Sequence, residues 1–212
     1  THDKTYTAGL RLGIVTDTLD TSGTVLQRFK TEKSISDVKA ILPEFTGEIS
    51  QVPPMYSAIK KDGKKLYELA RAGIETERKP RQVRINALTC TGMDGEDFVL
   101  EISCSKGTYI RTLCSDIGER LGCGAAMSSL RRTKAGRFDV SDAVTLETIE
   151  GKGVEPFIKK IDTMFFEYPQ VIVDMSADKK IRNGVSFYCG VSPGKYRVYN
   201  KNGEFLMLGQ VE

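Results

Sequence analysis

Apolar and polar residues alternate near the start of the chain, with Tyr6, Ala8, Leu10 and Leu12 on one side and Thr7, Gly9 and Arg11 on the other. That two-residue period predicts a half-buried strand over 6–12. The polar turn sequence TDTLDTSG follows at 16–23, and a second strand is expected over 25–29. Ser36 is expected to cap a helix over 37–42 that Pro43 and Gly47 help to end. Pro53-Pro54 excludes a regular central strand. The stretch 64–72 reads as a helix with Leu66, Leu69 and Ala70 on its apolar face and Gly73 as its stop. Strands over 81–90 and 98–104 are predicted around a turn at Asp94-Gly95. A helix follows, with a stripe of Tyr109 or Ile110, Leu113, Ile117 and Leu121 and an end at Gly122. Further on, a short strand over 137–140, a helix over 145–149 and a glycine seam at 151–153 are expected. The tail reads as a helix over 177–182 ending at Asn183-Gly184, then strands near 185–188, 196–199 and 205–211, with Asn202-Gly203 as a hairpin turn.

Composition narrows the chemistry. With 212 residues, 40% hydrophobic and 28% charged, the chain can bury one core plus a small second one. No apolar run approaches the ~20 residues of a membrane span, so no membrane association is expected. The chain opens on Thr1 without Met or signal peptide, and residues preceding it are expected. Five cysteines without CxxC spacing fit a reducing cytoplasm, and with His2 the sole histidine neither a zinc site nor histidine catalysis is expected. Net charge is only +3, but 60–84 holds nine basic residues against four acidic ones, and Arg131, Arg132, Lys134 and Arg137 form a second basic cluster. Two such patches on a near-neutral chain suggest a polyanion footprint, against the plain alternative of a solvated surface.

Single residues leave alternatives open. Two residues apart on a helix, Tyr109 and Arg111 point to nearly opposite sides. They face one cleft only if Tyr109 precedes the first full turn, with 106–108 as the bend; otherwise Tyr109 starts the apolar stripe and Arg111 is solvated. Tyr6 is either a core tyrosine or a stacking platform. Asp17 and Asp20 are metal ligands, carboxylate catalysts or turn-stabilising side chains, the last being commoner. Lys106 beside Ser103 and Ser105 allows a Ser/Lys hydrolase.

Four motifs in order, KTYTAGLRLGIVTDTLDTSG, QVPPMYSAIKKDGKKLYELARAG, CSKGTYIRTLCSDIGERLGCGA and LRRTKAG, resemble the TruB family of bacterial tRNA pseudouridine-55 synthases. The tail from KKIRNGVSF through YRVYNKNGEFLMLGQV is similar to that family's PUA-type RNA-binding module or its shortened form. The resemblance implies an α+β fold with a mixed, mainly antiparallel sheet flanked by helices, and a small C-terminal β-rich module. It divides the chain into a catalytic part at 1–150, a connector at 151–168 and the module at 169–212. It implies isomerisation of uridine 55 in the tRNA T-arm, by base flipping, with no metal or organic cofactor and no obligate protein partner. Tyr6 would stack on the extracted uracil and take part in proton removal. Arg111 would pair with the catalytic carboxylate, Tyr109 would close the pocket and Leu130 would line it. Lys60, Lys64, Arg71, Lys106, Arg131 and Arg132 would contact RNA. The family's catalytic Asp lies in a GTLDP-like segment that this sequence does not contain, so the nucleophile is expected outside it and the chain alone is expected to be inactive. The competing reading is a non-catalytic protein that binds or remodels tRNA.

Overall fold

The computed structural model describes residues 3–212, so His2 lies outside the described residues. They form two compact units, one through Ala143 and the other from Val144 to Glu212.

The first unit is built on β1 (Lys4–Leu12), which the alternation locates. After β2 (Ile14–Thr16), the loop through Asp20 and β3 (Val25–Arg28) comes α1 (Ile35–Ile41). Its cap is Ser34 rather than Ser36. The Ser34 hydroxyl accepts from the Asp37 N–H, and the Asp37 carboxylate accepts from the Ser34 N–H at 2.7 Å. A carboxylate three residues after the cap closes this reciprocal pair, which Ser36 cannot do from inside the helix. Nor does Pro43 stop the chain's winding. It sits within a 3-10 turn, Leu42–Phe45, where its missing N–H costs nothing. The stop comes at Gly47, whose φ of +98° suits glycine.

Next follow β4 (Gly47–Gln51), the irregular Pro53-Pro54 stretch, and two short strands, β5 (Lys60–Lys61) and β6 (Lys64–Lys65). Lys64 and Lys65 thus pair back on the preceding lysines instead of opening the helix, and α2 spans Leu66–Arg71. β7 (Arg81–Asp94) and β8 (Asp97–Cys104) form a hairpin turned by Gly95-Glu96, one residue later than the sequence suggests. α3 (Ile110–Arg120), β9 (Ala125–Ala135) and β10 (Phe138–Asp139) complete the unit.

Its sheet runs β10-β9-β1-β8-β7-β4, every pair antiparallel. Ala8, Leu10, Leu100 and Ile102 from the sheet pack with Val38 of α1 and with Ile110, Leu113, Cys114 and Ile117 of α3 in one core. Each large apolar side chain so buried contributes about 2 kcal/mol. Gly118 brings α3 close to β9: a Cβ there would lie 2.1 Å from the Ala125 nitrogen.

In the second unit α4 (Leu146–Lys152) is capped by Thr145. β11 (Gln170–Val173), α5 (Met175–Arg182), β12 (Gly194–Asn200) and β13 (Phe205–Val211) follow. β11 runs parallel to β12, which pairs antiparallel with β13. The expected strand near 185–188 is irregular, and β11 occupies the third place in the sheet. Asn200 secures the hairpin turn, its side-chain oxygen accepting from the N–H groups of Asn202 and Glu204 at 3.0 Å each.

Candidate functional site

Gly107, at φ +85°, bends the chain between β8 and α3. Tyr109 therefore stays extended, φ −100° and ψ 108°, at the cap position ahead of the first helical turn. This is the geometry under which Tyr109 and Arg111 need not oppose each other.

The Arg111 guanidinium is drawn inward by three acceptors. Nη1 donates to the Asp20 carboxylate at 3.1 Å and to the Thr18 carbonyl at 3.3 Å, and Nη2 donates to the Tyr56 carbonyl at 2.6 Å. The side chains of Arg111 and Asp20 are only 24% and 19% exposed, so the pair sits below the surface and not in bulk solvent.

The sequence leaves Asp20 open between a metal ligand, a catalytic carboxylate and a turn residue. Asp20 does shape the turn, but it is also the carboxylate bonded to Arg111. Ser22 donates to its Oδ1 through the hydroxyl at 2.5 Å and the N–H at 3.1 Å, and the Thr18 hydroxyl donates to the same oxygen at 2.8 Å. Burial pushes the Asp20 carboxyl upward, but the bonds from Ser22 and Thr18 together with Arg111 outweigh it and hold the group below its ordinary value. The loop is pinned in turn to β9: Met127 N–H donates to the Leu19 carbonyl and Thr21 N–H to the Met127 carbonyl. The signal was the repeated Thr/Asp pattern of TDTLD, which provides hydroxyl donors at short range. Asp17, by contrast, accepts from the Thr24 N–H and closes the loop.

Tyr6 and Leu130 lie on adjacent strands. Tyr6 faces Arg132 across β1/β9, and Ala8 faces Leu130. Directly opposed residues share a face of the sheet, so Tyr6, Leu130 and Arg132 stand on the face that carries the core. Leu10, four residues after Tyr6 and about 13 Å further along the strand, faces Met127, where the Asp20 loop attaches. Burial, then the neighbouring Cys104, raise the Tyr6 phenol above its ordinary value, with Arg132 opposing. Its hydroxyl is therefore protonated at neutral pH.

The basic residues differ in setting. Lys60, Lys64, Lys106, Arg131 and Arg132 are exposed. Arg71 lies over the Tyr67 ring, 5.4 Å from its centroid. A cavity of about 270 Å³ is lined by Pro53 and Leu66, by five basic side chains including Lys60 and Arg81, and by the acidic Glu77. The hydrolase alternative finds no support. The Ser105 hydroxyl accepts from the Arg84 N–H at 2.9 Å, and among the described residues neither serine bonds to Lys106. No group of three or more metal-ligating side chains stands together among the described residues. No helix among them is long and apolar enough to cross a membrane.

An antiparallel sheet carrying helices on its core face has counterparts among solved structures. A chain from the crystal structure of a Cbf5-Nop10-Gar1 complex matches 98% of this chain and 59% of its own length, at a TM-score of 0.60 and 24% identity. A chain from an H/ACA RNP bound to a substrate RNA containing 2'-deoxyuridine matches with a TM-score of 0.59 and 21% identity, over 98% of this chain and 58% of its own. These likenesses establish the fold. Sequence carries it further: residues 1–110 match the N-terminal domain of the TruB family pseudouridylate synthases, and residues 111–156 match the tRNA pseudouridylate synthase B C-terminal domain. The tRNA pseudouridine synthase B of Stutzerimonas stutzeri is 42% identical over 99% of this chain and 72% of its own length. That of Clostridium kluyveri is 41% identical over 97% and 73%. The chain belongs to the TruB family.

Proposed function

We propose that these residues serve a tRNA pseudouridine synthase that converts uridine 55 of the T-arm, and that the attacking aspartate is supplied from outside the 212-residue sequence. In that reaction the N–C glycosidic bond breaks and a C–C glycosidic bond forms. A proton leaves the ring carbon and another is gained at the ring nitrogen. No cofactor enters that balance.

The observation that carries the reading is the Arg111–Asp20 pair, held below the surface where the Asp20 loop bridges to Met127 of β9, the strand that carries Leu130 and pairs with the Tyr6 strand. A guanidinium held by a permanent carboxylate and two carbonyls keeps a fixed direction. It then aligns and keeps ionised a second carboxylate, as nucleophilic attack requires. Asp20 itself suits the holding role, because one of its oxygens accepts from Ser22 and Thr18 and the other from Arg111. Tyr6 supplies a flat face for a base removed from its stack, an interaction of about 1–3 kcal/mol. Its protonated hydroxyl favours donating a hydrogen bond; a part in proton removal would need the phenol to ionise first. Leu130 keeps water off the exposed base. Lys60, Lys64, Arg71, Lys106, Arg131 and Arg132 contact phosphates and set register.

The test is an assay on an unmodified T-arm transcript. The 212-residue polypeptide is expected to bind it without turnover. A longer chain carrying the portion of its relatives that these residues do not span is expected to form pseudouridine. Turnover by the polypeptide alone would refute an attacking aspartate from outside the sequence. Binding without turnover by the longer chain as well would leave only an RNA-binding function.

A further inference from the structure

Gln51 ends β4 and is only 2% exposed, yet it is fully polar. Its side-chain oxygen accepts from the Tyr109 N–H at 3.0 Å, and its side-chain nitrogen donates to the Tyr109 carbonyl at 3.3 Å. One carboxamide thus meets both backbone polar groups of a residue 58 positions away. Tyr109 has no side-chain cap of its own, and its carbonyl also accepts the first helical bond from Leu113 at 3.1 Å. The start of α3 is therefore tied to a neighbouring strand instead of being capped locally.

The residues after Gln51 continue the grip. The Thr112 hydroxyl donates to the Val52 carbonyl at 3.5 Å, and the Arg111 guanidinium reaches the Tyr56 carbonyl. In both of these the helix reaches out to the segment. Gln51 alone among the three reaches in, and it fastens the residue two positions after the bend at Gly107.

We propose that Gln51 is a positioning residue: by clamping both backbone groups of Tyr109 it sets where the Tyr109 ring and the Arg111 guanidinium stand. This rests on the synthase reading above. The chemistry selects an amide. Glutamate offers acceptors alone and places a charge beside the Tyr109 carbonyl, while methionine fills the space and leaves the half-buried Tyr109 N–H without its partner. A pivot at the bend displaces both side chains together, and a shift of about 1 Å in a reacting group costs about 100-fold in rate.

Two measurements test it. In the 212-residue chain, Gln51→Met is expected to speed amide hydrogen exchange at Tyr109 about 100-fold while Leu113 and Ile117 keep their protection. In the longer, active chain the same change lowers kcat about 100-fold with KM within about twofold, and Gln51→Glu does likewise. Added to Arg111→Met, it costs clearly less than it does alone, because one of the two groups it positions is gone. Uniform loss of protection along α3, or a kcat loss that multiplies with that of Arg111→Met, makes Gln51 a folding residue and overturns the proposal. An unchanged kcat overturns it too. If the unsubstituted longer chain makes no pseudouridine, the functional reading fails first, and exchange at Tyr109 shows separately whether the clamp stands.

Discussion

Arg111 and the Lys60–Lys65 hairpin both present positive charge, but by opposite means. Arg111 stands in the first turn of a helix, sits mostly out of water, and has its guanidinium taken by a carboxylate and two carbonyls. The hairpin's Lys60 and Lys64 stand in solvent on two-residue strands. The first arrangement gives direction: few orientations are available, and the surrounding dielectric magnifies each contact. The second suits attraction: charges in solvent can meet phosphates at many angles, and salt weakens such contacts. Net charge cannot tell the two apart, which is why a balance of +3 hides both.

Substitutions should separate them. The largest effect is expected from Arg111→Met in the longer, active chain, with turnover falling about 100- to 1000-fold while tRNA affinity holds, measured by single-turnover kinetics beside a binding titration. An equal drop in affinity would place Arg111 with the attracting residues. Asp20→Asn comes next, with about 2 kcal/mol of stability lost at neutral pH in denaturant unfolding. Because the Asp20 carboxyl is held below its ordinary value, its contribution is complete above the unfolded carboxylate range near 4 and vanishes as pH falls through the lower folded value. The gap between parent and variant should therefore close in strong acid.

Asp116, on the same helix, provides the contrast of a carboxylate without such donors. Burial, with Glu119 adding, pushes its carboxyl up to about 6. Its sign is reversed: the stabilisation is full below pH 4 and is lost as pH rises through about 6. Asp116→Asn should raise the melting temperature at pH 8, by the equivalent of about 1 kcal/mol once solvent screening is allowed for, and leave it nearly unchanged at pH 4. The smallest effect belongs to Lys60→Ala. Stability and turnover at saturation stay put, tRNA binding weakens, and the slope of affinity against salt drops by about one ion.

What was legible in the sequence follows the same division between near and far. The alternation through Tyr6–Leu12, the stripe of α3 and the Asn202-Gly203 turn are short-range signals, and each lies where its period or turn chemistry puts it. The cap of α1 was misread by two residues because Ser34 and Ser36 are alike until Asp37 is paired with one of them. β11 escaped notice because its parallel partner lies beyond an intervening helix, and no local pattern announces that pairing. In the candidate site the Tyr-x-Arg of α3 stood out by its position after a glycine bend. Asp20 and Gln51 did not, because what distinguishes them is a partner 91 and 58 residues away, respectively. A polar residue at the end of a strand looks solvated until the fold closes over it.

The contact between Gly118 and the backbone of Ala125 reaches beyond packing. A helix behaves as a stiff rod, and the seven residue steps from Arg111 to Gly118 span about 10.5 Å. With the near end seated against a strand, any added bulk at Gly118 would act as a fulcrum and tilt the far end. On the proposed reading, the hydrogen that stands in place of a side chain at Gly118 would help to hold the direction of the guanidinium.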